Sequence, residues 1–277
     1  MIRRISILSV LLCFMCCCVV VAESRHPIGF AYWDVDCCYD TIPSLFYDDN
    51  DYTPQGRKGW NTHRYRQKIR NIVSVVDSMR MPLVALYGVE SEGVVRDIVT
   101  ESKIDYCYLH RTNDGRDGLD FALLYLADMF FIDRVESFYD RLYIEGEIEK
   151  RRVGIWLTRN GYLQKSGAPP HQDSVDVMIL AGGFYRGELK KIGVADYCTP
   201  LERKGYGNAM SYKGWYMRHR IGVNESVDVE MGGVYIKKWL LRDDYSAPRG
   251  TYSKGRYMGG YSNYLPLFIH FTLPDEE

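Results

Sequence analysis

Asp34 and Asp36 are a closely spaced pair of carboxylates near the start of the chain, of the kind that can hold a metal or move a proton. With Glu90, Asp120 and His219 they form a set of carboxylates and one imidazole, the donors from which a divalent-metal site is built. Taken singly, each of these acids reads as a solvated group or a salt-bridge partner. A second set is positive. Arg159, Arg186, Arg218 and His219 can hold a phosphate, sulfate or carboxylate without a metal. Tyr87, Tyr185 and Tyr264 offer rings that either stack on a sugar or base or fill a cavity. Cys37, Cys38, Cys107 and Cys198 show no CxxC spacing, which argues against a structural zinc site. Adjacent Cys37 and Cys38 do not bridge each other without strain. One of them can bridge to Cys107 or Cys198, or both can serve as small buried hydrophobes.

The elements that must position these groups can be read from periodicity. Ile28–Trp33 reads as a buried strand and Asp48–Asp51 as a polar loop. A helix capped by Asn61 or Thr62 carries Tyr65, Ile69, Ile72, Val73, Val76 and Met79 at helical spacing. Arg66, Lys68 and Arg70 face water on this reading, and Pro82 ends the helix. Leu83–Leu86, Tyr106–Leu109, Leu119–Leu126, Val153–Leu157, Val177–Leu180 and Leu265–Leu273 read as strands, with a second helix over Glu92–Thr100. Gly182–Gly183 stops the strand before it, and Lys204–Arg256 reads as loops and short strands. Strands mixed with two early helices point to one layered α/β domain.

The 277 residues carry a formal net charge of −1, with 46% hydrophobic and 26% charged residues. That balance excludes collagen-like, coiled-coil and disordered classes. It leaves no footprint for general nucleic-acid binding. Arg3 and Arg4 precede an apolar run from Ile5 to Ala22, which reads as a signal peptide over residues 1–22. The mature domain is then 23–277, exported to the periplasm, cell surface or medium, with no transmembrane segment of its own. An uncleaved anchor is the alternative. Lipid attachment through Cys13 or Cys16–Cys18 is weakly supported, because the preceding residues are bulky.

Six segments, taken in order, resemble one pattern. They are Tyr32–Asp40; Thr53-Pro54-Gln55-Gly56 followed by Trp60 and Arg64-Tyr65; Val84–Ser91; Val177–Tyr185; Trp215–Val223; and Gly259–Leu267. They are similar to the "WNVENLFD", "TPxGxxxW…RY", "IGLQEVEN", "vilmGDFN", "WgmiDqilv" and "GGySDHLPV" segments of the endonuclease/exonuclease/phosphatase superfamily. The resemblance runs from Ile28 to Phe271 and implies a four-layer α/β/β/α sandwich of two packed mixed sheets with outer helices. It also implies cleavage of phosphoesters by a Mg²⁺-type ion with His–Asp and Asp–Asn pairs.

Carried over position by position, that chemistry is replaced. The Asn of the first motif falls on Asp34, and the acid two residues later on Asp36. The metal-binding Glu falls on Gly88, and the catalytic His of the family's "NHW" on Arg159. The "GDFN" Asp and Asn fall on Gly183 and Tyr185, and the "miDq" Asp on His219. The "SDH" Asp and His fall on Asn263 and Tyr264. Glycine offers no side-chain oxygen, and a phenol near pKa 10 is no general base at neutral pH. Only Asp34 and Asp36 stay as metal candidates. The reading is an exported, catalytically degenerate member that binds or interacts. No cofactor is expected, and its partner is an anionic small molecule in the former cleft or another exported protein. On the inert version of this reading, Asp34 and Asp36 pair with Arg159 or Arg218. The alternative is an active, divalent-metal-dependent phosphodiesterase, nuclease or phosphatase using a displaced site of Asp34, Asp36, Glu90, Asp120 and His219.

Overall fold

The computed structural model of the chain describes residues 26–112, 117–161 and 169–274. The segment 1–22 lies outside the described residues. Two six-stranded mixed sheets form the frame, as the resemblance implies. In the first, the order is β13 (Asp228–Val234), β16 (Leu267–Thr272), β1 (Ile28–Cys38), β2 (Leu83–Val89), β4 (Asp120–Tyr125), β3 (Cys107–Arg111). In the second it is β5 (Phe131–Phe138), β6 (Arg141–Ile148), β7 (Arg151–Gly161), β8 (Val177–Phe184), β12 (Arg220–Asn224), β9 (Val194–Asp196). Each sheet has one parallel pair, β1 with β2 and β7 with β8. A strand in such a central position is covered on both faces, which is why β1 begins as a near-continuous apolar run.

Alternation on the second sheet shows which side faces the core. Val153, Ile155, Leu157, Val177, Ile179 and Ala181 join the main core. Tyr143, Trp156, Met178 and Leu180 point the other way, into a smaller cluster closed by Leu189 of the short helix α3 (Glu188–Lys191). The main core also takes the buried faces of α1 (Thr62–Met79) and α2 (Glu92–Glu101).

Helix α1 begins as expected, with Asn61 accepting from the Arg64 amide. It ends at Arg80, which turns left-handed (φ 52°), before Pro82 is reached. Lys68 does not face water: it is 1% exposed. Its position follows from the stripe itself, because 68 is three residues past Tyr65 and four before Ile72. The ammonium donates to Thr251 Oγ1 at 2.8 Å, the Tyr261 carbonyl at 2.6 Å and the Val35 carbonyl. Asn71, three residues further along the helix, donates to the carbonyls of Gly259 and Gly260. Two polar side chains of α1 thus clamp the 249–261 loop onto the end of β1.

Other expectations need correcting. Gly182 and Gly183 lie inside β8, which runs on to Phe184. Gly182 has φ +134°, and a Cβ there would stand 1.9 Å from the Thr158 carbonyl oxygen. The hairpin β5–β6 was not foreseen, because Asp133, Arg134, Glu136, Arg141, Glu145 and Glu147 break its apolar signal. Their charge is absorbed locally: buried Glu145 accepts from Tyr143 and meets Arg134 and Arg152. The four described cysteines are free. Burial pushes the thiols of Cys37, Cys38 and Cys198 up to about 12, which keeps them protonated and unreactive.

The "TPxGxxxW" resemblance is structural. The Thr53 carbonyl accepts from the amides of Gly56 and Trp60, and the indole of Trp60 donates to the Tyr39 carbonyl at 2.8 Å. A Cβ on Gly56 would lie 2.1 Å from the Asn50 carbonyl oxygen, so the turn admits only glycine.

Candidate functional site

The positions onto which the resemblance carries the family's catalytic groups lie where the C-terminal halves of β1 and β2 meet the start of β12. Register puts Tyr32, Asp34 and Tyr87 on one face, since Asp34 pairs with Tyr87 and Tyr32 lies two residues back. That face looks across to the second sheet: the ring of His219 sits 5.4 Å from that of Tyr32, and Asp34 Oδ2 lies 3.2 Å from His219 Nε2.

His219 is fixed at both nitrogens. Asn208 accepts, through Oδ1, from the amides of Arg218 (2.8 Å) and His219 (3.3 Å). Its Nδ2 therefore points at His219 Nδ1 (3.0 Å) and the Leu265 carbonyl (3.2 Å). An amide N–H donating to Nδ1 requires the tautomer with the proton on Nε2, and that proton is directed at Asp34. The imidazole has no nitrogen left for a water or a substrate. Asn208→Ala is expected to lower stability by about 1–3 kcal/mol and to release the tautomer. Denaturant unfolding and the ¹⁵N shifts of the ring check both. An unchanged Nδ1 shift in the variant would show that Asn208 does not set it.

Asp34 and Asp36 are also spoken for, though not by Arg159 or Arg218 as expected. Asp34 Oδ1 accepts from the Asp36 amide at 2.8 Å, and Asp36 Oδ2 accepts from Asn263 Nδ2 at 2.6 Å. Burial pushes the Asp36 carboxyl above its usual range, against the opposing pull of Lys68. Arg159 grips Asp117 with both terminal nitrogens and lies 5.6 Å above the Tyr87 ring. Arg186, 58% exposed, stands 3.9 Å from Glu202. Arg218 makes no ion pair among the described residues.

The surroundings of Gly88 and Tyr264 are closely packed. Asp36 sits in a bulge with φ +59°, and Gly88 opposite has φ +92°. A Cβ on Gly88 would stand 2.7 Å from the Asp36 carbonyl oxygen. The backbone therefore excludes the acid that the resemblance places here. The Tyr264 ring packs edge-on against His219 at 4.8 Å, and burial with nearby Asp34 and Asp36 pushes its hydroxyl up to about 12. Tyr87 is buried against Phe121, whereas Tyr185 is 52% exposed and does not fill the cleft. Gly183 lies buried in β8.

The displaced site is not assembled. Glu90 is bound to a loop, accepting from the Asp40 amide and the Tyr47 hydroxyl. Asp120 lies 3.6 Å from buried His110. Among the described residues no three His, Cys, Asp or Glu side chains come together as a metal ion requires. With Asp34 and Asp36 held by internal donors and Gly88 unable to carry an oxygen, the residues present do not fit the divalent ion the family uses. Asn208 and Lys68 were missed as organising residues because each acts through contacts remote in sequence.

Two mixed six-stranded sheets packed together, with a few helices outside, define an α/β sandwich. Solved structures agree on the fold. D. rerio TDP2 complexed with single strand DNA product matches with a TM-score of 0.55 at 14% identity, over 89% of this chain and 99% of that one. An endonuclease/exonuclease/phosphatase family protein from Bacteroides thetaiotaomicron gives 0.56 at 13%, over 91% and 100%. The B. thetaiotaomicron mannosyl-6-phosphatase gives 0.54 at 12%, over 89% and 100%. A sequence comparison with curated proteins finds no match. The family described as Endonuclease/Exonuclease/phosphatase matches residues 29–169, just over half of the 277. The chain belongs to that family.

Proposed function

We propose that this chain is an exported, non-hydrolytic member of the family that binds an anionic ligand in the former cleft. The observation that carries the reading is His219, both of whose nitrogens are consumed by Asn208 and Asp34. A family phosphoesterase needs an imidazole free to exchange a proton and a cage of oxygens for its metal. Arg218 is the group that supports anion binding, while Arg159 is neutralised by Asp117.

Mg²⁺-dependent assays on DNA and on a generic phosphodiester are expected to show no turnover. Inorganic phosphate is expected to bind, and to lose most of its affinity in Arg218→Ala. Gly88→Glu, which returns the family's acid, is expected to lower stability by about 1–3 kcal/mol from the strained backbone alone and to leave Mg²⁺ unbound. Turnover that disappears in Asp36→Ala would establish the enzyme instead.

A macromolecular partner is the second reading. Tyr212 stands 93% exposed at the tip of the hairpin β10–β11 (Ala209–Ser211 and Gly214–Tyr216). A cavity of about 220 Å³ nearby is lined by Tyr206, Trp215, Leu241 and Tyr245. A photo-crosslinker at position 212 is expected to trap the partner; no adduct removes this reading.

A further inference from the structure

Leu45 and Phe46 are the two most exposed large apolar side chains among the described residues, at 95% and 94%, and Ile42 beside them is 72% exposed. The loop holds them out rather than leaving them loose. The amide of Asp40 donates to Glu90, that of Ile42 to Asp40, that of Ser44 to Asp49, and that of Phe46 to the Ser44 hydroxyl. The Tyr47 hydroxyl donates to Glu90 as well. A loop fixed at four amides has lost much of its freedom before a partner arrives, which lowers the ordering cost of a contact. Two adjacent apolar tips in water also leave a solvation cost that a covering surface removes.

The same chain carries a recess that matches this loop. Tyr206, Trp215, Ile236, Leu241 and Tyr245 line the cavity of about 220 Å³. An apolar cavity of about 150 Å³ accepts a benzene ring, so this one has room for the Phe46 ring or the Leu45 side chain. The charges around the two also match. Residues 40–51 hold four aspartates and no lysine or arginine. The two segments that form most of the cavity wall, 203–213 and 235–242, hold six lysines and arginines and no acid. The acids flanking those segments are engaged: Glu202 with Arg220, Asp243 with Arg249 and Asp244 with Ser246. Within one copy the loop and the cavity stay apart. The loop is tied to Glu90 after β2, whereas Ile236 follows β13, and β2 and β13 lie on opposite sides of β1.

We propose that the 41–46 loop of one copy docks in the aromatic cavity of a second copy of this chain, with Leu45 and Phe46 inside it and the loop's aspartates against its lysines and arginines. This names the occupant for the macromolecular reading above and rests on that reading. The acidic flank of the loop disfavours an anionic membrane as its target. Each copy offers one loop and one cavity, so two copies can exchange both contacts about a two-fold axis, or pass one contact on to a third copy.

Sedimentation of the purified protein from about 1 μM to about 1 mM is expected to show reversible association, weak because one loop and one cavity make a small interface. Added salt is expected to weaken it further. The double variant Leu45→Ser, Phe46→Ser is expected to stay monomeric over the same range with an unchanged melting temperature, because both side chains touch little of their own fold. Tyr245→Asp, at a cavity position that is 54% exposed, is expected to stay monomeric too. Mixed together, the two variants are expected to associate again, since one keeps the cavity and the other keeps the loop. That recovery shows that neither variant has merely misfolded. The crosslinker at position 212 is expected to give an adduct of twice the chain mass. A protein that stays monomeric at about 1 mM, association that persists in the loop variant, or a mixture that stays monomeric would overturn the proposal. An adduct with a different protein, in a chain that stays monomeric, would overturn it and leave the macromolecular reading standing.

Discussion

Lys68→Met is expected to lower the unfolding free energy by about 3–5 kcal/mol, the scale for removing one side of a buried charged network. The side chain is enclosed, and its three donors are all used: on the Val35 carbonyl, the Thr251 hydroxyl and the Tyr261 carbonyl. Methionine fills the same tube but leaves these three acceptors unmet. It also removes the cation that moderates the field of Asp36. Burial lowers the pKa of the Lys68 ammonium, and Asp36 works against that shift. Urea unfolding of the variant measures the loss. Because Lys68 joins β1 to the 249–261 loop, amide exchange is expected to speed up first at Tyr261 and Ser262. A loss under about 1 kcal/mol would mean that the loop is held by Asn71 and the backbone instead.

Glu90 gives the second large effect, and it depends on pH. The carboxyl is buried, and burial is the main reason its pKa is pushed from 4.5 up to about 8. The hydrogen bonds from the Asp40 amide and Tyr47 pull it down, while Asp40 and a hydrogen bond shared with Asp49 push it up. The folded protein therefore keeps a proton that the unfolded chain releases near 4.5. Stability from this group is fully present below about pH 4.5 and is lost as pH rises through about 8. The loss is roughly 3–5 kcal/mol across that window. Glu90→Gln keeps a donor toward Asp49 at every pH. Its unfolding free energy is expected to be nearly flat between pH 5 and pH 8, where the parent's falls. Parallel pH profiles for the two proteins would show that Glu90 ionises normally. The local consequence is specific. Asp49 also accepts from the Ser44 amide, so Glu90 and Asp49 together hold the loop that presents Ile42, Leu45 and Phe46 to solvent.

The frame of the molecule was legible because it is written in local patterns. Helix α1, the strands through Leu83, Val153 and Val177, and the glycine turn at Gly56 all carry signals within a few residues. The order of the six motifs then fixed the sandwich. The hairpin β5–β6 was not legible, since its charges pair across strands and with Arg152 rather than facing water. Lys68 was misread because a lysine on an apolar stripe is taken for a surface residue until its acceptors, up to 193 positions away, are known. The site divides the same way. The resemblance carries family groups onto Gly88, Arg159, Asn263 and Tyr264, which is a statement about sequence alone. That Arg159 turns to Asp117, and that Asp34 turns to His219, depends on which loops meet at the sheet ends. Gly88 is the sharpest case. Sequence shows a missing oxygen, whereas the structure shows a backbone that leaves no place for one.

The length of β1 has a consequence for how the molecule is presented. Six residue steps separate Ile28, where the strand begins, from Asp34 in the cleft, a reach of roughly 20 Å along an extended chain. A label or fusion partner attached ahead of Ile28 therefore joins the domain at the end of β1 away from the cleft, and leaves the mouth of the cleft clear.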